Sequence, residues 1–183
     1  MPFDKSFAPT LRFAVMSDIH IDDEDCIEEQ RLAKALADLG ELCSSDGRYE
    51  GLDALVIVGD FASRGTELQM RKVKKLLDGG LPSGARLIMT MGSHEYMSDG
   101  EENALRRFGE IFSLTPDTHE IINGFDFIAV TTTGGCHFDE KKREFAAAEL
   151  EKAAERDGRK PIFFFQHPLA LRDDPLSAHA GGH

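Results

Sequence analysis

Four short apolar runs in this chain each stop abruptly at polar side chains able to hold a metal ion or move a proton. Residues 11–17 lead into Asp18 and His20, 52–58 into Gly59-Asp60, 86–91 into Gly92-Ser93-His94-Glu95, and 161–165 into Gln166-His167. Runs of this length, bounded by turn residues, read as buried strands. Between the first three lie helix-period segments. Residues 26–43 carry Ile27, Leu32, Leu36, Leu39 and Leu42 at near-helical spacing, and 66–77 carry Leu68, Val73, Leu76 and Leu77. Gly79-Gly80 and Pro82 are expected to stop that second helix. Further helices are expected over 101–112 and 140–156. Asn123-Gly124, set between apolar runs, signals a β-hairpin.

Strands alternating with helices predict an α/β domain with mostly parallel strands and right-handed crossovers. In such sheets ligands gather at the carboxyl ends of the strands. Parallel neighbours would therefore bring Asp18, His20, Asp60, Ser93, His94 and His167 to one edge. Asp18 and His20 are two residues apart, so on an extended backbone their side chains leave the same side. Carboxylates mixed with imidazoles suit Mn, Fe or Zn better than Ca. A carboxylate at a strand tip, such as Asp60, is placed to bridge two ions. Two ions a few ångströms apart clamp both oxygens of a phosphoester displacement.

Composition narrows the partners. The 183 residues suit one domain spanning 1–183, and the net charge of −12 argues against general nucleic-acid binding. Cys26, Cys43 and Cys136 are odd in number, with no CxxC, and read as reduced thiols. No signal-peptide pattern opens the sequence and no apolar run is long enough for a bilayer. The expectation is a cytoplasmic protein without membrane partners. His119 and His137 lie outside the strand-end signatures and read as surface residues. The acidic run 22–25 reads as a solvated loop.

In order and context, Asp18-Ile19-His20, Gly59-Asp60-Phe61-Ala62, Gly92-Ser93-His94-Glu95 and His167 after Ile162-Phe163-Phe164-Phe165 resemble the motifs of the calcineurin-like metallophosphoesterases. The resemblance implies a layered α/β sandwich with helical crossovers and one hairpin. It implies hydrolysis of a phosphomonoester or phosphodiester by a hydroxide activated on two Mn, Fe or Zn ions. Asp18 and His20 would bind the first ion, Asp60 would bridge, His167 would bind the second, and His94 would protonate the leaving oxygen. Arg64, in Gly59-Asp60-Phe61-Ala62-Ser63-Arg64-Gly65, resembles the arginine of the protein Ser/Thr phosphatase branch and would grip a phosphate oxygen. The expected substrate is a phosphorylated small molecule or a phosphoprotein. Two departures stand out. Ser93 replaces the family's amide ligand, which leaves Ser93 a substrate contact. The closing G-H-x-H is missing, with only His179 and His183 in the tail, so the domain reads as lacking its C-terminal part, and the two ion sites are expected to fill unequally, a single ion sitting against Asp18 and His20. These departures keep open a rival role as a binding or scaffold module. Glu95 reads as a structural hydrogen-bond partner or helix cap.

Overall fold

The computed structural model describes residues 9–45, 51–134, 137–157 and 160–167. Strands β1 (Phe13–Met16), β2 (Ala54–Val58) and β3 (Arg86–Thr90) form a parallel sheet in the order β1-β2-β3. Its crossovers are α1 (Ile27–Ser45) and α2 (Glu67–Gly80). A single 3₁₀ turn at His94–Tyr96 leads to α3 (Glu101–Phe112). β4 (Thr118–Ile122) and β5 (Phe125–Ala129) then form an antiparallel hairpin, whose turn residues Asn123 and Gly124 both have positive φ (51° and 79°). That is the requirement of the tight hairpin turn that Asn-Gly favours. α4 (Glu140–Asp157) returns the chain to β6 (Ile162–Phe165), parallel to β5.

Side-chain alternation along the strands builds the layers. Leu55 and Ile57 of β2 pack with Leu36, Val73, Phe108 and their neighbours from α1, α2 and α3. Ala54, Val56 and Val58, on the opposite face, meet Phe127 and Ala129 of β5 and Phe163 and Phe165 of β6. Ile128, Ile162 and Phe164 point away from that interface and pack against Ala146 and Ala153 of α4. Helices, two three-stranded sheets and a last helix thus form a layered α/β sandwich. Each fully buried large apolar side chain in it contributes about 1.5–3 kcal/mol.

Some local expectations fail for identifiable reasons. All five residues of β2 are buried, but β1 is an edge strand, paired only with β2 among the described residues. Val15 is accordingly 50% exposed instead of buried. Gly79-Gly80 do not stop α2, which runs through them and ends at Leu81. A Cβ on Gly80 would lie 2.8 Å from the Leu36 Cβ, so this glycine serves the close approach of α1 and α2. The acidic loop is not simply solvated. Asp22 and Asp23 accept from the Gln69 side chain, and Asp23 also accepts from the Thr66 hydroxyl, 2.6 Å away. Thr66 and Gln69 themselves form a capping box at the start of α2.

His137 is exposed as expected, but His119 is not. Its ring nitrogens lie 2.7 Å from Glu149 on α4 and 2.6 Å from buried Asp126 on β5, and Arg156 also pairs with Asp126. Burial alone would raise the Asp126 pKa; Arg156 and His119 outweigh it and hold the carboxyl below its ordinary range. A depressed folded pKa gives stability that is present above the unfolded value, about 3.9, and lost as pH falls through the folded one. Asp126→Asn is therefore expected to be less stable than the parent at about pH 7, with the gap narrowing as pH falls below about 3.9, as read from urea midpoints. A gap unchanged in acid would show that this carboxylate does not carry the effect.

Candidate metal centre

The loops after β1 and β2 run side by side beyond the strands. Asp18 donates its N–H to Gly59 O (3.3 Å), His20 to Asp60 O (3.0 Å), Ile21 to Phe61 O (3.1 Å), and Ser63 back to Ile21 O (2.9 Å). This pairing bends the backbone. Asp18, His20 and Asp60 have φ of 54°, 54° and 49°, in the left-handed region. Asp and His tolerate that region better than most residues, yet such clustering is typical of functional sites. The expectation that Asp18 and His20 project from one side of an extended strand is thus corrected: β1 has ended at Met16 and both residues are left-handed.

The loop after β3 closes over Asp60. The Asp60 Oδ1 accepts from His94 N–H (2.9 Å), and the Ser93 hydroxyl is 3.5 Å from Oδ2. His167 arrives from the second sheet, across the sandwich, and places Nε2 3.1 Å from Asp60 Oδ2. The packing leaves no spare room. A Cβ on Gly92 would be 2.3 Å from Asp60 Oδ1, and one on Gly59 would be 2.6 Å from the His167 ring. Neither contact was legible in the sequence, although glycines directly before Asp60 and Ser93 were its signal.

The candidate ligand atoms form two trios, His20–Asp60–His94 and Asp18–Asp60–His167, each within 4.8 Å of one another. Asp60 belongs to both. Asp18 stands between the histidines, its Oδ1 3.9 Å from Nε2 of His20 and of His167 alike. Burial opposes protonation of His167, but Asp60 and Asp18 outweigh it and raise its pKa above the ordinary value. Burial likewise pushes against ionisation of Asp60, and His167 with the His94 N–H overcomes it, so that carboxyl titrates low.

The residues fit a metal ion. The His167 Nε2 is buried and makes no aligned hydrogen bond with any described residue, despite its short approach to Asp60. A lone pair facing two carboxylates across that gap suits a cation, and the mixed oxygen and nitrogen donors suit Mn, Fe or Zn. His94 is fixed by its other side: Nδ1 lies 2.7 Å from Ser63 O, and a carbonyl only accepts, so Nδ1 carries the proton and Nε2 is left for chemistry.

Glu95, a residue of modest promise in the sequence, lies 0% exposed beneath the centre and accepts three backbone N–H bonds, from Asp60, Ala62 and Gly92. Burial pushes its pKa up to about 7 against the pull of those bonds. Arg64 is exposed on the β2 loop, and its guanidinium has no hydrogen bond or ion pair among the described residues. Asp18 and His20 also line an open cleft of about 490 Å³ bounded by Met16, Ile19, Arg31 and Leu32. His179, His183 and Cys136 lie outside the described residues; Cys26 and Cys43 are free thiols. No helix among the described residues is long and apolar enough to cross a membrane.

No curated protein aligns significantly with the chain. The model of the family described as calcineurin-like phosphoesterase matches residues 11–180, which takes in every candidate ligand named above. On that match, over most of its length, the chain belongs to the calcineurin-like phosphoesterase family.

Proposed function

We propose that this protein hydrolyses phosphomonoesters or phosphodiesters with the help of bound Mn, Fe or Zn. The observation that carries the reading is Asp60, one buried carboxylate common to two ligand trios. Asp18, His20, Asp60 and His167 would hold the ions, two in a full site. When bound, the ions supply Lewis-acid activation of water and neutralise charge on the phosphoryl oxygens. The rest falls to the protein. His94 is anchored through Nδ1–H; as the imidazolium, protonated on both nitrogens, it would donate the Nε2 proton to the leaving oxygen and return to the neutral Nδ1–H tautomer. The free guanidinium of Arg64 and the Ser93 hydroxyl are placed on the loops that border the centre, where they would contact phosphoryl oxygens. The substrate class that fits is a phosphorylated small molecule or a phosphoprotein.

Ser93 supports a second reading, in which the fold binds ions too weakly to turn over and serves as a binding module. A hydroxyl is a shorter and poorer ligand than an amide oxygen. The test is hydrolysis of p-nitrophenyl phosphate and its bis-ester with Mn added, then with Mn removed by chelation. The enzyme reading expects turnover with Mn that is lost on chelation and recovered on reloading. Turnover absent in the parent but present in Ser93→Asn would favour the weakened module. Turnover that ignores chelation would sink the metal-dependent reading.

A further inference from the structure

A carboxylate as deeply buried as Glu95 is rare without a set of partners. Its partners are backbone groups only: Oε1 accepts from Ala62 N–H (2.9 Å), and Oε2 from Asp60 (2.9 Å) and Gly92 (2.7 Å). The β2–β3 ladder ends with Gly59 N–H on Thr90 O. Just beyond it the two chains part, and the Glu95 carboxylate spans the gap. It joins the loop that bears Asp60 to the loop that bears His94. Among the described residues it forms no ion pair, so those three amides carry its hydrogen bonding.

We propose that Glu95 is the positioning residue of the metal centre, holding Asp60 in its left-handed backbone pose and so aiming the carboxylate that both trios share. The inference rests on the metal-centre reading above and deepens it. Asp60 at φ 49° is an unfavourable conformer that persists only while its surroundings impose it. The carboxylate supplies acceptors to both loops at once. Glu95→Gln keeps the size but has one acceptor oxygen, and its amide NH₂ must face a backbone N–H, donor against donor. With the amide oxygen on Asp60 and Gly92 the NH₂ opposes Ala62 N–H and pushes that turn away; with the amide flipped, Asp60 and Gly92 both lose their acceptor. Glu95→Asp keeps the charge but shortens the reach.

Two measurements test this. The first is Mn titration followed by the free-Mn electron paramagnetic resonance signal, with Val73→Ala, a buried α2 substitution, as the control for general loosening. Glu95→Gln is expected to bind Mn about 10–100-fold more weakly than the parent, as loss of an outer-shell partner does, with Glu95→Asp in between and Val73→Ala unchanged. The second is amide hydrogen exchange of metal-free protein. The Asp60, Ala62 and Gly92 amides should lose protection in Glu95→Gln while those of β2 keep it. Mn affinity equal to the parent's in a folded Glu95→Gln or Glu95→Asp, or an equal loss in Val73→Ala, overturns the proposal. Unchanged protection of the three amides overturns it even where the metal centre stands. A parent that binds no Mn removes the metal-centre reading and this inference with it.

Discussion

Asp60→Asn is expected to reduce Mn-dependent phosphoester hydrolysis to background and to weaken Mn binding by more than about 100-fold, beyond what loss of an outer-shell partner costs. The substitution is isosteric. Its amide oxygen can still accept from His94 N–H, so the loops should stay closed and the fold intact. What disappears is the negative charge that both trios share and that raises the His167 pKa. Circular dichroism should therefore change little while metal affinity collapses. Retained Mn affinity would mean that Asp60 is only the cap of the His94 turn. The same experiment on His94→Ala should behave differently, with hydrolysis lost more than metal binding, because the proposed role of His94 is proton transfer.

Gly65→Ala is expected to lower stability by about 2–5 kcal/mol, from left-handed strain added to overpacking. For a chain of this length that is roughly 5–15 °C in Tm. Gly65 is buried with φ +69°, and a Cβ there would lie 2.0 Å from the Glu95 carbonyl oxygen and 2.7 Å from its Cα. The obstacle is backbone, so no rotamer change relieves it. Gly84 isolates the conformational part, since its φ is +86° but nothing lies within 4 Å of an added Cβ. Gly84→Ala should cost only about 1–2 kcal/mol. Equal midpoints for the two variants, read by thermal unfolding without metal, would refute the close approach of the Gly65 and Glu95 backbones.

Most of the fold follows from local pattern. The Asn123-Gly124 turn, the period of α1 and the apolar strands are set within a few residues, so they appear where the sequence places them. α3 has the expected bounds, Glu101–Phe112, closed by Ser113 with φ 56° and its N–H on Gly109 O. The misses are nonlocal. α2 continues through Gly79-Gly80, and at Gly80 the missing side chain makes room for Leu36, 44 positions away. His119 is drawn inward by Asp126 across the hairpin and by Glu149 from α4. Val15 is exposed because an edge strand lacks a second neighbour.

By itself the sequence determined which residue types stand at the strand ends, and in what order: Asp18, His20, Asp60, Ser93, His94 and His167. It also determined the α/β character and the kind of ion those donors suit, because periodicity and ligand chemistry are local properties. Only the tertiary structure decided how the donors group. The left-handed φ of Asp18 and His20 comes from hydrogen bonds to Gly59 and Asp60, partners about 40 residues away. His167 faces Asp60 from the other sheet, and Asp18 stands equally near two histidines. Which oxygen meets which nitrogen depends on backbone angles and sheet packing set by distant residues, and a motif written along the chain carries no record of either.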